Sequence, residues 1–167
     1  MVTHKTYQNK KGEWIEPENI YHDGAVIKDN FNNIVNVGKT EKMSKSKKNV
    51  IDPSKIIDLY GADTARWFML SDSPPDRDLE WTDSGIAGSY RFIKKVWEIA
   101  NEVTKLKELE GKKDLEIELD SKTNETIISV TKNIEDFHFN KAIANIYELT
   151  NLLQKMISSK TIGKNCA

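Results

Sequence analysis

Residues 39–49 read KTEKMSKSKKN and contain five lysines against one acidic residue, Glu41. So many cations in a short stretch, with two serines among them, favour contact with phosphate groups. The stretch also divides the chain. On its N-terminal side short apolar runs alternate with turn residues, whereas from Asp52 onward apolar residues recur at helical spacing. We therefore expect a cationic hinge between a β-rich part and a helical part.

Composition limits the class of protein. The chain has 167 residues, of which 38% are hydrophobic and 31% charged, and this suits one domain or two small ones sharing a core. A single cysteine, Cys166, excludes an internal disulfide framework and predicts a reducing, cytoplasmic location. No membrane-length apolar run or secretory signal is present, so we expect no membrane partner. Because neither terminus shows an ordinary domain boundary, we expect a fragment of a larger protein.

The first forty residues are expected to form two β-hairpins. In each hairpin, two runs with alternating apolar residues flank a turn rich in Asn, Asp, Lys or Gly. The runs and turns are, in chain order, 6–7, 9–12, 13–15, 25–27, 29–33 and 34–37. His4 and His22 lack the spacing of metal ligands, so we predict no metal site and interpret them as ordinary strand or surface histidines.

Two short helices are predicted next. Asp52 is expected to cap the first, with Pro53 at its first helical position and Gly61 ending it. Asp63 is expected to cap the second, over residues 64–70, which is apolar nearly all round and should be buried. Arg66 in this helix requires an anionic partner, and we predict a salt bridge.

Three longer helices should follow the loop at residues 71–78. Thr82 caps the first, expected over 83–107 with a single apolar stripe formed by Ile86, Tyr90, Ile93, Trp97, Ala100 and Val103. Residues 108–120 are interpreted as a connection, with a short strand at 115–119 as an alternative.

The second and third long helices are expected to begin at Ser121 and Asn140, and the short link at 137–139 predicts antiparallel packing. The apolar stripe of the last helix is hardly covered. The fold class is therefore mainly α with a small β-rich N-terminal part, ending in an incomplete antiparallel helix bundle.

The cationic stretch offers chemistry as well as charge. Lys42 and Lys45, with Ser44 and Ser46, can hold one polyphosphate while Met43 anchors the segment in apolar surroundings. Residues 42–48 contain no Asp, Glu or His, so we expect electrostatic stabilisation of a departing pyrophosphate and no proton transfer. Charge alone also fits a surface lysine run, a localisation signal or heparin-like binding.

The order of residues is more specific than the charge. Residues 42–46 spell KMSKS and resemble the signature loop of class I aminoacyl-tRNA synthetases; we call them the KMSKS loop. Three further segments follow in the order of that family: Asp52-Pro53, Tyr60–Asp63 and Arg66. Three later segments resemble the bacterial leucyl-tRNA synthetases in particular: Pro75–Trp81, Gly88–Phe92 and Val96-Trp97.

The resemblance implies a set of roles. Lys45 would contact an ATP phosphate and stabilise the activation transition state, with Lys42 assisting and residues 42–46 forming the ATP-binding set. ATP with Mg²⁺, leucine and tRNA(Leu) would be the substrates and partners of a parent enzyme that we expect to be a monomer without affinity for DNA. The HIGH motif, the leucine pocket and the editing domain do not occur in this chain, so we expect the fragment to be inactive alone.

A second cationic group, Arg91, Lys94 and Lys95, lies on the first long helix. Charge alone fits a solvated face or a phosphate-contacting face equally, and the resemblance favours contact with tRNA. We expect three regions: a β-rich segment at 1–40, the KMSKS loop with connective helices at 41–81, and the start of an anticodon-binding-type bundle at 82–167. The alternative is a free-standing helical RNA-binding or scaffold module that uses the lysines as a polyanion patch.

Overall fold

A computed structural model describes residues 1–105 and 113–159. The strands are β1 (Val2–Gln8), β2 (Ile20–Asp23), β3 (Val26–Asp29), β4 (Asn36–Lys42) and β5 (Leu79–Glu80). The helices are α1 (Pro53–Tyr60), α2 (Ala62–Ser71), α3 (Asp83–Val103), α4 (Lys113–Glu135) and α5 (Phe139–Ser158), and short 3-10 turns occur at Pro17–Asn19 and Lys45–Lys47. The predicted fold class, mainly α with a small β-rich N-terminal part, is confirmed.

The sheet under the cationic stretch has three strands in the order β4-β1-β5. β1 pairs antiparallel with β4, placing Thr3 opposite Lys42, and parallel with β5. The register slips between Lys5 and Tyr7, where the Thr6 hydroxyl donates to the Lys39 carbonyl at 3.0 Å. A Cβ on Gly38 would lie 2.4 Å from that hydroxyl oxygen, so only glycine fits this irregularity.

The predicted hairpins are correct in part. The first forms as a short hairpin, in which the Ile15 N–H donates to the Tyr7 carbonyl at 2.9 Å and the Asn9 N–H to the Glu13 carbonyl at 3.0 Å, but the main strand partner of β1 is β4, some thirty residues away. In the second, the Val35 N–H donates to the Ile27 carbonyl at 2.9 Å. The β2–β3 hairpin was not predicted.

Asp29 organises the turn of the second hairpin. Its carboxylate accepts from the N–H groups of Phe31 at 3.0 Å and Asn33 at 2.8 Å. These bonds favour the charged form, and the hydrogen bond from Asn33 is the largest cause of the lowered pKa of Asp29.

α1 begins and ends as predicted. The Asp52 carboxylate accepts from the Ser54 N–H at 2.9 Å, Pro53 is the first helical residue, and Gly61 adopts φ 83° after the last turn. Asx capping and a positive-φ glycine explain both boundaries.

α2 differs from its prediction. It begins at Ala62 without a side-chain cap, and Asp63 instead forms the predicted salt bridge with Arg66 at 3.3 Å. The helix is buried on one face only, through Thr64 and Phe68, while apolar side chains on the opposite face are exposed. An apolar sequence all round did not imply burial all round, because α2 has neighbours on one side.

The predicted stripe of α3 is correct in part, because Ile86 is buried and Val103 packs against the core around Ile99. Thr82 caps the helix as expected, accepting from the Gly85 N–H at 3.2 Å. The buried residues of α3 are Ile86, Ser89, Phe92 and Ile99. Tyr90 and Ala100 of the predicted stripe are exposed, and Trp97 is 70% exposed. The helix carries apolar residues on two adjacent faces, and the one containing Phe92 packs on α2 and α5.

α4 begins earlier than expected. It is helical from Lys113, so Ser121 is not its cap and residues 115–119 are not a strand. Leu115 and Leu119 lie one turn apart and pack with Ile99 in a core shared by α3, α4 and α5. The predicted end of α3 at Lys107 and residues 108–112 of the predicted connection lie outside the described residues, as does Cys166.

The link to α5 is a tight turn in which Phe137 adopts φ 58°. His138, and not Asn140, occupies the N-cap position of α5. α4 and α5 pack antiparallel as predicted, with Asn133 bonded to Asn145 at 3.0 Å. The apolar stripe of α5, expected to be hardly covered, is covered: Ala142, Ile143 and Met156 are buried, and Leu149 and Leu153 pack against the core around Ile99. The uncovered apolar side chains lie on α4 and the link instead, where Ile127, Ile128, Ile134 and Phe137 are each more than half exposed.

Three aromatic residues join the connective helices to the bundle. Trp67 of α2 stacks on Phe92 of α3 at 4.9 Å between ring centroids, and its indole N–H donates to the Tyr147 hydroxyl of α5 at 3.3 Å. Phe92 and Tyr147 are themselves 3.9 Å apart. This aromatic joint fixes the bundle relative to the sheet and the KMSKS loop.

Candidate functional site

The cationic stretch is not a free hinge. Lys42 is the last residue of β4, and Lys45–Lys47 form a single 3-10 turn. Lys48 then reverses the chain in the left-handed conformation, with φ 52° and ψ 25°. The predicted loop is therefore shorter than expected and starts from a paired strand.

Asn49 holds this segment to the sheet. Its side chain is fully buried, and the Oδ1 atom accepts from the Ser44 N–H at 2.8 Å. The two N–H groups of Nδ2 are shared among the carbonyl oxygens of His4 at 3.2 Å, Glu41 at 3.3 Å and Lys42 at 3.4 Å. This role is not predictable from the sequence, because an asparagine beside a lysine run has the composition of an exposed turn.

Three residues of the KMSKS loop, Met43, Ser44 and Ser46, have further partners. The Met43 N–H donates to the Val2 carbonyl at 3.3 Å, and the Met43 side chain packs against a core of Phe68, Leu79, Trp81 and Ile86. This contact is the apolar anchor expected of Met43. The hydroxyl oxygens of Ser44 and Ser46 are 2.8 Å apart and share a hydrogen bond.

The lysines differ in their availability. Lys47 pairs with Glu41, the single acid of the stretch. Lys42 and Lys45 are exposed and take part in none of the ion pairs formed by the described residues. Glu41 therefore neutralises a lysine outside the KMSKS loop. The ammonium groups of Lys42 and Lys45 are left available to bind an anion.

Lys45 borders a surface cleft of about 490 Å³. The charged residues that line it are Lys45, Lys48, Lys55, Glu16, Glu18 and Asp52. Glu18 is neutralised by an ion pair with Lys55. Lys42 does not line this cleft, so the structure places the two motif lysines on the same loop but only one of them in the cleft.

His4 lies beneath the loop without forming a metal site. Its side chain is buried, and its Nδ1 atom has no hydrogen-bond partner among the described residues. Burial lowers the pKa of His4, which therefore favours the neutral imidazole. Within residues 1–105 and 113–159, no three His, Cys, Asp or Glu residues come together as metal ligands.

The three cations of α3 are not equivalent. Arg91 and Lys94 are exposed on the helix surface. The Lys95 ammonium instead donates to Asn151 Oδ1 of α5 at 2.7 Å and so links two helices of the bundle. The geometry leaves Arg91 and Lys94 free for an anionic partner and gives Lys95 a contact within the chain.

The comparisons with known proteins agree on one family. The family described as tRNA synthetases class I (I, L, M and V) matches residues 28–82, which include the KMSKS loop and Asn49. A leucine–tRNA ligase of Rhizorhabdus wittichii is 48% identical over 95% of this chain, and one of Zymomonas mobilis is 45% identical over 96%. The chain is homologous to leucine–tRNA ligases. It spans 18% and 19% of the length of these two relatives.

A solved structure supports the leucine–tRNA ligase homology. It is the ternary complex of a LeuRS from Agrobacterium radiobacter K84 with tRNA and LeuAMS. It superposes on 75% of this chain with a TM-score of 0.65 and 29% sequence identity, and the match covers 17% of that protein. The arrangement of sheet, loop and helices described above is therefore similar to part of that LeuRS.

In this leucine–tRNA ligase homologue, the acidic segment before α3 contacts the sheet. The Glu80 carboxylate accepts from the Thr40 hydroxyl of β4 at 3.0 Å. Arg77 takes part in none of the ion pairs formed by the described residues.

None of the described helices is both long and apolar enough to cross a membrane.

Proposed function

We propose that this chain is the KMSKS segment of a leucine–tRNA ligase, in which Lys45 contacts a phosphate of ATP during activation of leucine and Lys42 assists. The observation that carries the proposal is the pair of exposed lysines, free of ion pairs, on a loop that is fastened to the sheet in a homologue of these enzymes. The remaining residues of the proposed ATP-binding set are Met43, Ser44 and Ser46.

The proposed step is nucleotidyl transfer. A leucine carboxylate oxygen forms a bond to the α-phosphorus of ATP while the bond from that phosphorus to the bridging oxygen of pyrophosphate breaks. Negative charge grows on the departing pyrophosphate, and an ammonium group aimed at it stabilises the transition state more than the ground state. Mg²⁺ would arrive with ATP as part of the substrate. The segment supplies charge and position, and no residue of the KMSKS loop acts as a base.

The proposed partner of α3 is tRNA(Leu). Exposed Arg91 and Lys94 can contact backbone phosphates, which are recognised by charge and not by base sequence. Lys95 would contribute by holding α3 against α5 through Asn151. The tRNA in the solved LeuRS complex supports this assignment. A cytoplasmic, monomeric parent enzyme that binds ATP, leucine and tRNA(Leu) is part of the proposal.

The test is Lys45→Ala in a full-length leucine–tRNA ligase carrying this segment. Leucine-dependent ATP–pyrophosphate exchange should lose about 2–4 kcal/mol of transition-state stabilisation, the scale of one preorganised electrostatic contact. Leucine affinity should remain unchanged.

Lys39→Ala is the matched control, because it removes the same charge from the same stretch but from within β4. Exchange kinetics that are unchanged in Lys45→Ala, or lowered equally by both substitutions, would remove the assigned role. No observation favours the alternative of an RNA-binding or scaffold module, since 95% of the chain aligns with leucine–tRNA ligases.

A further inference from the structure

We propose that Asn49 is a positioning residue for Lys45. It touches neither ATP nor leucine, and it fixes the backbone from which the Lys45 side chain extends. The inference rests on the proposed function of Lys45 and adds a residue outside the KMSKS loop to its machinery.

The hydrogen-bonding groups of the Asn49 side chain all have partners. A primary amide has two N–H donors and one carbonyl acceptor, and here the acceptor and the donor group are all engaged although the residue is 0% exposed. Three of the four partners belong to the strands β1 and β4 or their direct ends, and the fourth is the Ser44 N–H. The amide therefore joins the loop to the sheet at one buried point.

Asn49 bonds to the residue next to Lys45. Ser44 directly precedes Lys45, so the bond from the Ser44 N–H to Asn49 Oδ1 fixes the backbone one residue before the proposed catalytic lysine. The two partners are five positions apart, and the bond closes residues 44–49 into a ring. A side chain that starts from such a fixed backbone needs less ordering when its anion arrives.

The other restraints on residues 44–48 are local or exposed. A single 3-10 turn is a poor structure by itself, and the bond between the Ser44 and Ser46 hydroxyls is exposed to water. Lys47 pairs with Glu41, but both side chains are more than a third exposed. Met43, directly before Ser44, packs against the core and anchors the start of the segment. Asn49 is the buried polar contact that bonds to Ser44 itself.

A positioning role makes a quantitative claim about coupling. If Asn49 acts through Lys45, the loss of Asn49 matters only while Lys45 is present. In a full-length leucine–tRNA ligase carrying this segment, Asn49→Ala should lower kcat for leucine-dependent ATP–pyrophosphate exchange by about 10- to 100-fold, the scale of a misplaced catalytic group. The KM for leucine should not change. The double variant with Lys45→Ala should be no slower than Lys45→Ala alone.

Three further variants or measurements separate positioning from folding. Asn49→Ser keeps a smaller donor and acceptor and should lose less activity than Asn49→Ala. Asn36→Ala, at the exposed start of β4, is the matched asparagine control and should behave as the unchanged enzyme. In the present chain, hydrogen exchange at the Ser44 amide should be slow and should accelerate in Asn49→Ala, while exchange in α3 stays the same.

The outcomes are distinct. If Lys45→Ala leaves the rate of leucine-dependent ATP–pyrophosphate exchange unchanged, the proposed function is removed. A full effect of Lys45→Ala together with no effect of Asn49→Ala, or with two losses that multiply in the double variant, overturns the positioning role and leaves the proposed function standing. Collapse of the melting temperature in both Asn49 variants, or an unprotected Ser44 amide in the unchanged chain, also overturns it.

Discussion

Replacement of Gly38 by alanine tests the irregular pairing that sets the register of β4. The added Cβ would lie 2.4 Å from the Thr6 hydroxyl oxygen, and Thr6 is only 1% exposed, so its side chain has no room to withdraw. The hydroxyl would lose its bond to the Lys39 carbonyl, and the strands would have to separate. Overpacking and the loss of one buried hydrogen bond together predict a cost of about 3 kcal/mol in the free energy of unfolding.

The double variant isolates the cause. Thr6→Ala alone should cost about 1–2 kcal/mol, since it leaves the Lys39 carbonyl without this donor. In that background Gly38→Ala should cost little more, because the clashing oxygen is gone and the Thr6 Cβ lies at an ordinary 3.5 Å. The double variant should therefore be about 3 kcal/mol more stable than the sum of the single effects predicts.

Urea unfolding followed by tryptophan fluorescence measures these differences. A loss of 3 kcal/mol should lower the midpoint by about 1–3 M for a usual urea dependence. Gly88→Ala is the control with the same chemical change: its Cβ meets nothing closer than 3.7 Å, and it should stabilise α3 by about 0.5–1 kcal/mol. Additive effects of Thr6→Ala and Gly38→Ala, or a Gly38→Ala variant as stable as the unchanged chain, would refute the steric explanation.

Three further predictions concern stability of the same chain. Lys48→Gly should stabilise it by about 0.5–1 kcal/mol, because φ 52° strains any residue with a Cβ; a lower melting temperature would contradict this. Burial lowers the pKa of His4 below 6.5. Its contribution to the free energy of unfolding is therefore full above pH 6.5 and is lost as pH falls through and below that value. His4→Phe should flatten the dependence of the urea midpoint on pH between about pH 7.5 and 5. Asp52→Ala should cost about 1 kcal/mol by freeing the Ser54 N–H, whereas exposed Asp58→Ala should cost almost nothing in the same melts.

Local chemistry made several boundaries predictable. Asp52, Gly61 and Thr82 mark helix ends because each supplies a cap or a positive φ that acts within four residues, and the structure confirms all three. The pairing of β1 with β4 was missed for the opposite reason. Antiparallel hairpins between neighbouring runs are favoured by short loops, and nothing local signals that residues 2–8 prefer a strand beginning at Asn36.

Helical periodicity was less informative than it looked. Leu115, Ile117 and Leu119 alternate with acids as in a strand, yet Leu115 and Leu119 are also one helical turn apart, and only Leu119 is fully buried. Likewise, α3 satisfies a spacing of three and four on two adjacent faces. Which face is buried depends on the positions of α2 and α5, which a stripe within one helix cannot specify.

The candidate site was predictable in its residue types and not in its geometry. The order KMSKS selected Lys42 and Lys45, whose exposed and unpaired ammonium groups agree with the expected role. The buried position of Asn49 depends on β4 lying against β1, because its amide also bonds to the His4 carbonyl, 45 positions away. The other Asn49 contacts and the pairing of Lys47 with Glu41 are local, yet no local signal distinguishes Asn49 from the exposed asparagines nearby.

A small change of angle at the aromatic joint produces a larger displacement at the far end of α3. α3 continues from Phe92, which stacks on Trp67, to Val103, a length of about 16 Å at the rise of an α-helix. A tilt of about 0.1 radian at the joint therefore moves the far end of the helix by about 1.6 Å, half the length of a hydrogen bond. A substitution at Trp67 that leaves the fold intact but changes this angle would displace α3 more with increasing distance from the joint. The packing of the three rings therefore limits how accurately the bundle is oriented.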